Sequence, residues 1–205
     1  MNNVPKENFF IGFSLSNSSN YDSSVCVLDR ADNIVLLDKF YFTQDMDMFF
    51  KNSPYCSSSI ICVSVPYDNS MLDGKWRIHS KNYKMLGDKF EVNRNKWTRR
   101  LSNRLCDVLL NYTQEGLRIY RCDTNQLRQA YGLNAHFLLR TSLDCKNLQG
   151  ALKLKYGFSQ LPDNMLPASS LEAIVCAMFA KYIAQGEKTN ELYEFEGLKV
   201  LSKPF

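Results

Sequence analysis

Apolar runs separated by turn-forming residues predict four strands and a short helix in the first third of the chain. The run FFIGFSLS at 9–16 is typical of one apolar strand. Segments 24–28 and 34–37 flank a short polar turn, which predicts a β-hairpin. A short helix is predicted at 45–52, and the continuous apolar run at 60–65 indicates a strand that is buried on both faces.

Helical spacing becomes the dominant pattern in the second half of the chain. Apolar residues recur at helical spacing from Trp97 to Tyr112, after a long polar segment at 67–95 that has little periodicity. The remaining predicted elements are a strand at 117–122, a helix from 123 or 124 to 131, helices at 143–156 and 170–184, and a strand or hairpin around Glu196 and Gly197.

This order of elements predicts an α/β fold in one domain, residues 1–205. Three antiparallel strands, a helix, a strand, and then further helices and a strand are the order of a ribonuclease-H-like mixed sheet flanked by helices. The domain would carry a basic loop and helix at 67–112 and a short C-terminal strand or hairpin at 187–205. In such a sheet the site lies beyond the C-terminal ends of the strands, where Ser14 and Ser64 would be neighbours.

Charge is concentrated in one segment of the chain. The net charge is only +4, yet residues 75–104 contain ten Lys and Arg and two acidic residues, a local charge of +8. This excess predicts an anionic partner such as nucleic acid, although a solvated helix face would have the same composition. Arg100 and Arg104 share one side of the predicted helix. We expect Arg77 to point into the cleft beyond the strand ends, where the site of such a fold lies. The candidate anion-binding residues are Arg77, Arg94, Arg99, Arg100 and Arg104.

Cysteine usage and the absence of long apolar runs favour a reduced, cytoplasmic protein. The seven cysteines include no C-x-x-C pair, and several lie inside apolar runs, as buried free thiols do. Neither a signal-peptide pattern nor an apolar stretch of 18 residues is present, so no membrane partner is expected.

Short motifs distributed along the chain resemble those of domain-of-unknown-function family 429, which belongs to the ribonuclease-H-like superfamily and is related in fold to Holliday-junction resolvases. The similar segments, in order, are IGFSL at 11–15, VSVP at 63–66, GKWR at 74–77, SSLEAIVCA at 169–177, and a C-terminal Glu196-Gly197 with Pro204. The resemblance implies that Ser14, Ser64 and Ser169 stand where the family has aspartates. Only Glu172 retains a carboxylate.

The resemblance therefore implies a fold without its usual chemistry. Clustered carboxylates in the superfamily hold Mg²⁺, which requires charged oxygen ligands, whereas a serine hydroxyl is neutral. We expect a catalytically inactive binding or regulatory module with no metal and no cofactor. Two alternatives stay open: a metal-dependent nuclease or phosphoesterase whose rearranged site uses Glu172, Asp68 and Asp123 to bind Mg²⁺, and a structural protein that forms homo-oligomers.

Ser169 and Glu172 also have a purely structural interpretation. A serine followed three residues later by a glutamate, just before an apolar run, is the pattern of a helix capping box. In that arrangement Ser169 would accept a hydrogen bond from the backbone of the first helical turn, and Glu172 would reach back to the backbone of Ser169.

Overall fold

The computed structural model describes residues 8–15, 23–41, 43–64, 109, 111–122, 124–133, 141–185, 192–195 and 198–201. Within these ranges the chain forms a mixed sheet with helices on both faces, so the predicted α/β class and mixed sheet are confirmed. The strands in chain order are β1 (Phe9–Ser14), β2 (Ser23–Asp29), β3 (Ile34–Phe40), β4 (Ser59–Ser64), β5 (Arg118–Cys122), β6 (Leu192–Phe195) and β7 (Leu198–Leu201).

The sheet order among the described strands is β3-β2-β1-β4-β5-β7-β6. Strands β1, β2 and β3 are joined by antiparallel pairing. Strands β1, β4, β5 and β7 are parallel, and β6 closes the far side as an antiparallel partner of β7. The parallel strands therefore end at one edge of the sheet, which is the edge where β2 begins.

The helices begin and end at residues with recognisable local chemistry. They are α1 (Thr43–Asn52), α2 (Thr124–Ala130), α3 (Ser142–Tyr156) and α4 (Ala168–Ala184), with a 3-10 turn at Cys56–Ser58 and helical residues at 109 and 111–114. Thr141 and Asp144 form a reciprocal capping box at the start of α3, and Gly157 ends that helix with a left-handed φ of 73°. None of the described helices has both the length and the apolar character needed to cross a membrane.

The two faces of the sheet bury separate clusters of apolar side chains. Residues Phe10, Cys62 and Cys122 point toward α2, α3 and α4, and they belong to the larger apolar cluster. Residues Phe13 and Val63 point the other way, toward α1 and toward Leu109 and Tyr112. The alternation follows from the period of two along a strand.

Glycine at position 12 allows α4 to lie directly against the centre of β1. A Cβ atom built on Gly12 would lie 2.1 Å from the carbonyl oxygen of Ala173 and 2.2 Å from the amide nitrogen of Ala177. Both distances are far below van der Waals contact, so any other residue at position 12 would have to displace the backbone of α4. This close approach sets the height of the helix above the sheet.

Most predicted elements are found within one or two residues of their expected bounds. The exception is β3, which ends at Phe40 rather than at residue 37; differences of two residues are found at β1, which ends at Ser14 rather than at residue 16, and at α4, which begins at Ala168 rather than Ser170. The N-cap of α4 is Pro167, whose carbonyl accepts the first hydrogen bond of the helix, from the Leu171 amide. The predicted basic loop and helix at 67–112 lie outside the described residues except for 109 and 111–112.

Candidate functional site

Ser14 and Ser64 lie side by side at the C-terminal ends of two parallel strands. They are direct partners in the register of β1 and β4, and both are buried. The pairing continues one step further, because the Leu15 amide donates a hydrogen bond to the Ser64 carbonyl at 2.8 Å. The adjacency expected from the sequence is therefore present in the structure.

Glu172 reaches this edge from the second turn of α4. The Ser14 hydroxyl donates to Glu172 Oε2 at 3.0 Å, and Arg128 Nη1 lies 3.5 Å from Glu172 Oε1. The Arg128 side chain is 1% exposed and that of Glu172 is 24% exposed, so this ion pair is largely removed from water. A buried guanidinium needs such a partner because isolated charges are costly to bury.

Ser169 belongs to the same edge through β2. Its Oγ accepts a hydrogen bond from the Ser24 hydroxyl at 3.0 Å, and the Ser24 and Ser170 hydroxyls lie 3.2 Å apart. Ser24 is the register partner of Ser14. We call the group formed by Ser14, Ser24, Ser64, Ser169 and Ser170 the serine edge.

The capping box expected at Ser169 and Glu172 is wrong. Pro167 is the N-cap of α4 and makes no side-chain capping hydrogen bond, so Ser169 is already the second helical residue. The side chains of Ser169 and Glu172 instead make tertiary hydrogen bonds to β2 and β1. The helix starts two residues earlier than the serine-based pattern predicts, directly after Pro167, a residue tolerated at helix starts because its missing N–H removes no intrahelical hydrogen bond there.

Helix α2 completes the surroundings of the edge. The Ser64 hydroxyl lies 3.4 Å from Thr124 Oγ1, and Thr124 is buried at the start of α2. Arg128 lies one turn further along the same helix, so both residues face the edge from one side of α2. Helix α2 thus supplies a hydroxyl toward Ser64 and a positive charge toward Glu172.

The segment that leads into α4 is held by one side chain of α3. The Gln149 amide nitrogen donates to the carbonyls of Pro162 and Asn164, and its amide oxygen accepts from the Leu166 amide at 2.8 Å. Gln149 is buried, and its hydrogen bonds satisfy backbone groups that a helix cannot satisfy. This arrangement fixes the chain just before Ala168 and thereby the position of the serine edge.

Thiols lie directly behind the serine edge. The sulfur atoms of Cys122 and Cys176 are 3.5 Å apart, and Cys122 is the register partner of Ser64. Burial raises the pKa of the Cys176 thiol well above its usual value, and the hydrogen bond with Cys122 raises it further. Burial likewise raises the pKa of Cys62. With raised pKa values, the thiols of Cys62 and Cys176 stay protonated at neutral pH and act as core side chains rather than as nucleophiles.

The chemistry of the edge is that of neutral hydroxyls around one paired carboxylate. Each oxygen of Glu172 receives a donor, one from Ser14 and one from Arg128. Within the described ranges, no three His, Cys, Asp or Glu side chains lie close enough together to hold a metal ion. The described residues of the edge therefore do not fit Mg²⁺, which needs several charged oxygens.

Several residues singled out from the sequence lie outside the described residues. They are Asp68 and Asp123, proposed as substitute carboxylates, and the anion-binding candidates Arg77, Arg94, Arg99, Arg100 and Arg104. Conversely, the sequence reasoning missed Ser24, Thr124 and Arg128. Ser24 could have been found from the hairpin register, because the start of the second strand must lie opposite the end of the first. A single arginine in a short helix carries no such signal.

The chain matches no protein-family model, no curated protein and no solved structure.

Proposed function

We propose that this protein is a ribonuclease-H-like domain that has lost its catalytic carboxylates. It acts in the cytoplasm as a binding or regulatory module for an anionic partner, and nucleic acid is the class of partner that we favour. The observation that carries the proposal is the composition of the serine edge. Ser14, Ser64 and Ser169 meet beside Glu172 at the strand ends, where this class of fold has its metal site.

The state of Glu172 argues for binding rather than hydrolysis. Hydrolysis by two metal ions needs carboxylates that are free to coordinate. Among the described residues, Glu172 is the one carboxylate at the edge; it already accepts from Ser14 and pairs with Arg128, and the serines carry no charge. The proposal requires neither a metal nor a cofactor.

Support for an anionic partner comes from the sequence. The local charge of +8 at 75–104 exceeds the net charge of the whole chain, so the rest of the chain is acidic. Lys and Arg that neutralise phosphates release counterions, which makes such binding strongly dependent on salt. The aromatic residues Trp76, Tyr83 and Phe90 are interleaved with these charges and could stack on bases.

The first test measures hydrolysis of linear and branched DNA and of RNA with Mg²⁺ or Mn²⁺. The expected result is no turnover above the buffer control, either for the natural chain or for Glu172→Gln. Turnover that is present in the natural chain and lost in Glu172→Gln would overturn the proposal and favour the rearranged metal-dependent phosphoesterase.

The second test measures binding of a short duplex and a single strand as the salt concentration is raised. We expect affinity to fall steeply with salt, and Arg100→Glu combined with Arg104→Glu to weaken binding at least tenfold. The matched control is Lys39→Glu combined with Lys146→Glu, which changes the net charge equally at exposed positions outside 75–104. Equal losses in both double variants, or no binding at any salt concentration, would contradict a specific nucleic-acid surface.

A further inference from the structure

A cavity of about 250 Å³ lies at the opposite end of α4 from the serine edge. Its walls come from the ends of α2, α3 and α4 and from the turn between β2 and β3. The lining is mainly aromatic and apolar, with three polar residues, and consists of Asp32, Tyr131, Tyr156, Phe158, Met178, Lys181, Tyr182 and Gln185. Nothing in the proposed function uses this cavity.

Two of the aromatic walls, Tyr131 and Tyr156, are joined by one hydrogen bond and one ring contact. The carbonyl oxygen of Tyr131 accepts from the Tyr156 hydroxyl at 2.7 Å and from Lys155 Nζ at 2.7 Å. The rings of Tyr131 and Tyr156 meet edge to face, with centroids 5.8 Å apart. Walls that are fixed in this way do not have to be ordered when a ligand arrives, which lowers the entropic cost of binding.

The charged residues of the cavity neutralise each other. Lys181 Nζ lies 2.6 Å from Asp32 Oδ2 and also donates to the Arg30 carbonyl at 3.0 Å. Since this ion pair leaves no net charge among the lining residues, a charged ligand gains little there. Gln185 is exposed at the cavity and carries both a hydrogen-bond donor and an acceptor.

We infer that this cavity binds a neutral, planar heteroaromatic molecule of two fused rings. A cavity of about 150 Å³ lined by apolar side chains holds benzene, so about 250 Å³ has room for a second ring. Tyrosine and phenylalanine rings offer edge and face contacts that a planar aromatic ligand satisfies better than an aliphatic one. The carboxylate of Asp32 and the amide of Gln185 provide acceptors for a ring N–H group.

The test is calorimetric titration of the full-length chain with indole and with adenine, two neutral bicyclic probes. Saturable binding of at least one probe with one site per chain is the expected result. Met178→Trp should weaken that binding at least tenfold, because the larger side chain fills the cavity. Leu154→Ala is the control, since Leu154 is 91% exposed on α3 and does not line the cavity.

A second variant keeps the test decisive if Met178→Trp fails to fold. Tyr182→Leu keeps an apolar side chain but removes one aromatic face, and it should weaken binding at least threefold without changing the circular dichroism spectrum. Binding that is unchanged in the folded cavity variants would overturn the inference. So would the absence of saturable binding of both probes up to millimolar concentration.

Discussion

The two faces of the sheet differ in what packs against the central strand β1. On the α4 face, β1 presents Gly12, and the helix backbone at Ala173 and Ala177 lies directly on it. On the α1 face, the same strand presents Phe13, which packs against Phe40, Phe49 and Phe50 with ring centroids 5.2 to 5.8 Å apart. One strand therefore contacts a helix backbone on one side and a cluster of aromatic rings on the other.

The difference shows which contacts position the serine edge. Backbone atoms that touch a sheet have no rotamers through which to relax, so α4 cannot move closer to or further from β1 without a shift of the helix backbone. Aromatic side chains can adjust to each other, and such a core tolerates changes of shape when total volume is kept. The hydrogen bond from Ser14 to Glu172 depends on the first kind of contact, because Ser14 lies two residues beyond Gly12 on β1 and Glu172 directly precedes Ala173 on α4.

The largest effect is expected for Gly12→Ala. The added methyl group would overlap backbone atoms of α4, and we expect a loss of at least about 3 kcal/mol in the free energy of unfolding. The matched control is Gly150→Ala in α3, where an added Cβ meets nothing within 4 Å and helix propensity predicts a gain of roughly 0.5–1 kcal/mol. Urea denaturation measures both. Equal effects of the two substitutions would show that α4 does not lie on β1 as described.

The next largest effect is expected for Arg128→Met, on the same face. Removing the guanidinium leaves Glu172 partly buried without this cation, and partial exposure of the carboxylate limits the cost to about 2 kcal/mol. The control is Lys153→Met, whose ion pair with Asp163 is shorter, at 2.8 Å, but lies at the surface, so its loss should cost less than about 0.5 kcal/mol. Glu172→Gln should recover part of the loss in the Arg128→Met background. Failure to recover any of it would contradict a direct Arg128–Glu172 interaction.

On the aromatic face, Phe50→Leu should be tolerated. Leucine keeps the site apolar while losing part of the ring contacts, including the 4.6 Å pair with Tyr112, and we expect a cost of about 1 kcal/mol. The measurement is again the urea midpoint, with the denaturant slope checked for an unchanged transition. A cost comparable with that of Gly12→Ala would remove the distinction between the two faces.

The smallest effect is expected for the pH dependence of stability, at the hydrogen bond between Tyr112 and Asp47 beside the aromatic face. Burial, followed by the hydrogen bond that Tyr112 donates to Asp47, raises the pKa of the Tyr112 hydroxyl. A pKa that is raised in the folded state gives stability that is present below about pH 10 and is lost as the pH rises further. Tyr112→Phe should therefore flatten the loss of thermal stability above about pH 10.

The carboxyl group of Asp47, the other partner in this contact, gives stability with the opposite dependence on pH. Hydrogen bonds from Lys51 and then Tyr112 lower the pKa of the Asp47 carboxyl. Its contribution to stability is present above about pH 4 and is lost as the pH falls. Asp47→Asn should therefore lower stability slightly near neutral pH, where the carboxylate contributes, and should reduce the further loss on acidification. An unchanged pH profile in both variants would show that this contact does not contribute to folding in solution.

Much of the fold follows from local pattern, because apolar periodicity and turn residues set the elements and their order. The sequence predicts the β2–β3 hairpin, the buried strand β4 and the helix α3 close to their observed bounds. The start of α4 is not predicted correctly, because the Ser169–Glu172 capping pattern places it at residue 170, whereas the N-cap is Pro167. The ribonuclease-H-like assignment remains a proposal.

The serine edge could be predicted only in part. Ser14 and Ser64 follow from two parallel strands that end together, and the placement of Ser169 follows from the topology. Arg128 could not be foreseen, because its burial depends on the tertiary position of α2 rather than on any spacing in the sequence. The role of Glu172 was also misjudged, since a capping pattern is local while its partners are 44 and 158 residues away along the chain.

The most direct test of the proposed loss of the metal site is Mn²⁺ binding, measured by electron paramagnetic resonance on the natural chain and on Ser14→Asp combined with Ser64→Asp. The natural chain should bind no Mn²⁺ at millimolar concentration, because Glu172, the one carboxylate beside the serine edge in the described part of the chain, is already paired with Arg128. The double variant places two further carboxylates beside Glu172 and should bind one Mn²⁺ per chain. Tight Mn²⁺ binding by the natural chain that is lost in Glu172→Gln would contradict the account.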